Sequence, residues 1–167
     1  MMQRTVEDLI STLEKQIGNY RELKGLVLEE RKAIVSNDLR DLSETTSQIG
    51  LLVASNNQIE MTRVNLVKRL AAILNLTESN PTLSHIARRL QGSLSAKLME
   101  LRRDMISAIG EVQRQNRINA EMLKYCAGLI DSVLRNLVDP VSSKAIYGNM
   151  GQAKRRATLA SLLDHQV

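Results

Sequence analysis

The chain has 167 residues, a formal net charge of +5, three Tyr, two Pro, two His, one Cys, and neither Phe nor Trp. A quarter of its side chains are charged, an ordinary share, so general disorder is excluded, and the lone Cys126 excludes an intrachain disulfide. With aromatics nearly absent, Leu, Ile, Val, Met and Ala must fill the core, and these are the residues of helix–helix seams.

The opening stretch, MMQRTVEDLISTLEKQ, intersperses charges throughout and lacks the apolar region of a secretion signal. No run approaches the roughly 18 apolar residues of a membrane span. A single cysteine fits a reducing compartment, so a cytoplasmic protein without membrane insertion is expected.

The first helix is predicted over about 5–35. Val6, Leu13, Tyr20, Val27 and Ile34 recur every seven residues, with Leu9 and Leu23 on the interleaved position. That is an a/d seam, interrupted at Gln16 and Glu30. Ser36-Asn37-Asp38 then supplies a stop and an N-cap. So short a connection makes the next helix an antiparallel neighbour.

The second helix is predicted over about 38–75, with Leu42, Ile49, Leu52, Ile59, Leu66, Leu70 and Ile73 on one face, which also carries Asn56 and Arg63. Thr77 to Pro81 reads as a loop. Leu83, Ile86 and Leu90 stand at helical spacing and allow a short helix over 82–90. A further long helix is predicted over about 93–137, with Leu94, Leu98, Leu101, Met105, Ala108, Val112, Met122, Cys126, Leu129 and Val133 as its seam. At 1.5 Å per residue it would measure nearly 70 Å, about the length of an elongated bundle. The fold class is therefore all-α: an elongated antiparallel three-helix bundle or coiled coil over 1–138. Residues 139–167 form a partly mobile C-terminal tail with room for a short amphipathic helix.

No catalytic or metal-binding constellation emerges. His85 and His165 are far apart, and one Cys with two scattered His is not a zinc set. Walker loops, dinucleotide fingerprints and nucleophile elbows are missing. No enzyme, cofactor or metal is expected. Cys126 lies on the seam, which predicts a buried, inert thiol.

Two polar features interrupt the seams. Asn56 and Arg63 do so on the second helix, and Gln115 and Asn119 on the long third one. If these helices run antiparallel about the Pro81 loop, Asn56 stands roughly level with Gln113 to Gln115. A polar layer in mid-bundle would then fix register. The other reading turns these residues outward. Further on, Leu129, Ile130, Val133, Leu134, Leu137 and Val138 cover more than one narrow stripe. Either the tail folds over them or they form a groove for a partner's amphipathic helix.

Three sequence elements resemble the FlgN family. The run Glu29-Glu30-Arg31-Lys32-Ala33-Ile34-Val35-Ser36-Asn37-Asp38-Leu39 resembles its helical-hairpin turn. Asn116-Arg117-Ile118-Asn119-Ala120-Glu121-Met122-Leu123 resembles its third-helix asparagine pair, and Tyr147 to Gly151 its Tyr-Gly-x-x-Gly tail element. They come in the family's order over nearly the whole chain. The resemblance implies a cytosolic chaperone of flagellar type III export. Such a chaperone binds the C-terminal helical segment of hook–filament junction proteins, prevents early assembly and delivers them to the export gate protein FlhA. It further implies substrate contact at Ile130, Leu134, Leu137 and Val138, and at Leu159, Leu162 and Leu163 of the tail, with Tyr147 docking the gate. The Lys154-Arg155-Arg156 knot and the basic net charge depart from the family's pattern.

The competing reading is a basic coiled-coil nucleic-acid-binding or regulatory adaptor, built on Arg88, Arg89, Lys97, Arg102, Arg103, Arg114 and Arg117. Residues 81–120 carry seven basic side chains against three acidic. No helix-turn-helix spacing and no stacking aromatics accompany them, which argues against nucleic acid. A homodimer is compatible with such long hairpins, for which helix swapping is easy.

Overall fold

A computed structural model describes residues 2–76 and 81–142. Four helices account for nearly all of them: α1 (Met2–Ser36), α2 (Leu39–Ile73), α3 (Leu83–Arg89) and α4 (Ser93–Ser142). The fold is all-α, with no strand among the described residues. Contacts divide the chain into two units, Met1–Ala120 and Glu121–Val167.

In the first unit, α1 stops where Asn37 enters the left-handed region at φ 55°. There the Asp38 N–H reaches back to the Ala33 carbonyl at 2.9 Å, closing the helix end. The Asp38 carboxylate then accepts from the Arg40 and Asp41 N–H groups, both at 3.0 Å, and starts α2. The second helix ends by the same device: Asn75 has φ 48°, and the Leu76 N–H donates to the Ala71 carbonyl at 2.9 Å. Thr82 caps α3, exchanging hydrogen bonds with His85 in a capping box.

Gln16 donates to Glu60 at 3.1 Å, which sets the antiparallel register of α1 and α2. Glu14–Lys97, Arg21–Asp104 and Lys24–Glu111 ion pairs, at 3.3, 3.9 and 3.2 Å, advance together along α1 and α4. Those two helices are therefore parallel, and the bundle runs up, down and up. The core gathers Val6, Leu9, Leu13 and Ile17 with Leu66, Val67, Leu70 and Ala71, Ile86, Ala87 and Leu90, and Leu98, Leu101 and Met105. Burial of these side chains, at about 1.5–3 kcal/mol for each large one, holds the four helices together.

The core is not spread evenly. Toward the α1–α2 turn, α2 buries only Thr45 and Asn56 between Leu39 and Gln58. Leu42, Ile49 and Leu52 are only half-buried, and Ile73 at the other end of the predicted seam is exposed. The last helix, predicted to stop near 137, extends through Pro140 to Ser142. A proline in a final turn deletes one hydrogen bond and leaves little helix downstream to disturb.

Candidate partner-binding site

Asn119 is the most deeply buried polar side chain described, at 1% exposure. Its Nδ2 donates to the Val27 carbonyl and to Glu30 Oε2, both at 2.7 Å. Its Oδ1 accepts from Arg31 Nε at 2.9 Å, while Arg31 Nη2 reaches the Gln115 carbonyl at 3.0 Å. Here Glu30 and Arg31 of the α1 run and Asn119, the second asparagine of the α4 pair, distant in sequence, meet as one polar clamp.

Asn56 and Gln115 are also buried, so neither turns outward. They do not form one layer, however. The Gln16–Glu60 bond places Asn56 level with Tyr20, whose neighbour Arg21 pairs with Asp104. Gln115 lies beside Arg31, about 16 Å further along the axis. The register inferred from the Pro81 loop was displaced because α3 occupies part of that connection and packs Ile86, Ala87 and Leu90 into the core. Both side-chain atoms of Asn56, and Oε1 of Gln16 and Gln115, are buried without a hydrogen-bond partner.

Within the second unit, every described side chain from Leu123 to Arg135 is exposed. Ile130, Leu134 and Leu137, predicted to contact a partner, are 62%, 55% and 65% exposed. Leu123, Leu129 and Val133 are exposed beside them. At 100° per residue these positions span about 140° of α4, wider than the narrow a/d seam of a coiled coil. Lys124, Asp131 and Arg135 fall on the opposite side, with Asp131 and Arg135 paired at 2.7 Å. Among the described residues this apolar face has no covering element.

Cys126 is exposed, not buried as its seam position suggested. Heptad spacing identifies the apolar side of a helix but does not supply the helix that covers it. Leu123 was not singled out from sequence, although its spacing to Ile130 and Leu137 was there to be read. Val138 lies in α4 with its side chain outside the described residues. Tyr147, Leu159, Leu162, Leu163 and the Lys154-Arg155-Arg156 knot also lie outside them.

Three of the seven basic residues of the competing reading are engaged by neighbours. Lys97 pairs with Glu14 and Glu100, Arg114 with Glu111, and Arg88 donates to the Ser84 carbonyl. No group of three or more His, Cys, Asp or Glu able to hold a metal occurs among the described residues. No described helix is long and apolar enough to cross a membrane.

The sequence profile of the FlgN protein family matches residues 1–155. The chain belongs to the FlgN family. No curated protein and no solved structure matches it. FlgN is a family of flagellar export chaperones rather than of enzymes. An exposed apolar helix face is the kind of surface that takes up a partner's amphipathic helix.

Proposed function

We propose that this FlgN protein binds, in the cytoplasm, the C-terminal amphipathic helical segment of hook–filament junction proteins. The segment lies on the late α4 face, against Ile130, Leu134, Leu137 and Val138, with Leu159, Leu162 and Leu163 adding apolar contact. Tyr147 serves a separate purpose, docking the loaded chaperone on the export gate protein FlhA. The observation that carries the reading is the broad apolar face between Leu123 and Leu137, exposed among the described residues.

The physical logic is an exchange of partners. A polymerising protein hides its assembly helix by burying it temporarily on another helix. Coupled folding keeps the complex releasable, because ordering the segment offsets part of the contact energy. No nucleotide or cofactor is required. Tyrosine suits docking, since it presents a large ring and a hydroxyl at low rotamer cost.

Calorimetric titration with the C-terminal helical segment of a hook–filament junction protein tests this assignment. The expected result is a one-to-one complex with a negative heat-capacity change. Leu134→Asp weakens it at least tenfold and Tyr147→Ala leaves it unchanged. Absence of binding at tens of micromolar, or an unaffected Leu134→Asp variant, contradicts it.

A further inference from the structure

A second surface, in the first unit, has the form of a helix seat. A groove of about 270 Å³ opens between α2 and α4, with Tyr20 and Gln16 of α1 contributing to its floor. The α2 wall carries Glu60 and Arg63, whose charges cancel: Arg63 Nε donates to Glu60 Oε2 at 2.7 Å, and Gln16 donates to the same carboxylate. The α4 wall carries Arg102, Ile106 and Ile109. Arg102 has no hydrogen bond or ion pair among the described residues, so the groove keeps one uncompensated cation beside the apolar Met105, Ile106 and Ile109.

Met99, Arg102, Ile106 and Ile109 follow the spacing i, i+3, i+7, i+10, which is one face of a helix. Met99 and Ile106 are exposed. The α4 lining of the groove, Arg102 to Ile109, spans about 10 Å, roughly two turns, and Met99 continues the face one turn beyond it. This part of the molecule is three long helices around a groove of helix length, the arrangement that a fourth helix completes.

We infer that the groove seats an acidic amphipathic helix of a partner protein, its apolar stripe on Ile106 and Ile109 and a carboxylate on Arg102. Charge decides among the occupants. The chain's own C-terminal apolar residues Leu159, Leu162 and Leu163 follow directly on Lys154-Arg155-Arg156 and would bring cations to Arg102. A second copy has its α1 stripe already buried in its own core, and its late apolar α4 face offers no carboxylate to Arg102, since Asp131 lies on the opposite side and is paired with Arg135. An acidic helix meets both the apolar walls and the free guanidinium.

The test uses the full chain, isotopically labelled, and two synthetic amphipathic peptides of about 18 residues, long enough to span the groove. They share Leu and Ala positions and differ only in carrying Glu or Lys on the polar face. The Glu peptide is expected to shift the amides from Met99 to Ile109 and the Tyr20 ring signals. Arg102→Glu weakens that binding at least tenfold, and Arg102→Gln weakens it less. Leu134→Asp leaves the groove shifts in place, which separates this site from the late α4 face. Equal groove binding by the Lys peptide, shifts confined to residues 123–137, unchanged affinity in both Arg102 variants, or no shift at millimolar peptide would each overturn the inference.

Discussion

Arg31 and Asn119 are joined by a 2.9 Å hydrogen bond that ties the last third of α1 to α4 where apolar packing is thin. The same asparagine satisfies Val27 and Glu30, so both ends of its amide are used. Buried polar groups with complete partners rigidify and specify register, and here they do so in the part of the unit with few buried apolar side chains.

Asn119→Ala should therefore cost about 2 kcal/mol, because it strips partners from groups with little access to water. Urea unfolding of both proteins checks this. A loss under about 0.5 kcal/mol would mean that the clamp does not contribute.

Asn56 predicts the opposite sign. Its two amide atoms are buried and unpartnered, a penalty that an apolar side chain of similar size removes. Asn56→Leu should stabilise the bundle by about 1–2 kcal/mol, read as a higher urea midpoint at unchanged slope. Destabilisation would show that Asn56 holds a partner in solution.

Acid should weaken the bundle partly through Glu60. The Arg63 hydrogen bond, aided by Gln16 and the Arg63 charge, lowers its pKa against the opposing effect of burial. A folded-state pKa below the unfolded one gives stability that is present above the ordinary glutamate range and lost as pH falls through the folded value. The pair is partly exposed, so screening limits it to about half a kcal/mol. Comparing urea midpoints between pH 3 and 7, Glu60→Gln should be weaker than wild type near neutrality and converge with it in acid. A constant difference would exclude this linkage.

Much of the bundle was legible in the heptads. Val6, Leu9, Leu13, Leu66, Leu70, Leu98 and Leu101 repeat at helical spacing, and all are buried. The Gln16 and Glu30 interruptions were visible too, but not their use, because each finds its partner on another helix, Glu60 and Asn119. Register between α2 and α4 was not legible, since it depends on how α3 packs. Nor was the exposure of Cys126, because periodicity is the same for a covered seam and an open one.

The Asp38 cap tests the hairpin turn independently of any partner. Its carboxylate accepts two N–H groups at the start of α2, and Asp38→Ala should cost about 1 kcal/mol while Asp38→Asn costs less. Thermal unfolding followed by circular dichroism distinguishes them, and equal loss in both would assign the effect to the turn backbone.

Cys126 gives the most direct view of the proposed partner face. It is exposed and shares that face with Leu123, Ile130, Val133 and Leu137. In the free native protein a thiol reagent should modify it at nearly the rate seen in urea. Adding the C-terminal helical segment of a hook–filament junction protein should slow modification at least tenfold, with protection lost in Leu134→Asp. Unchanged reactivity of Cys126 in a fully formed complex would contradict the assignment of this face.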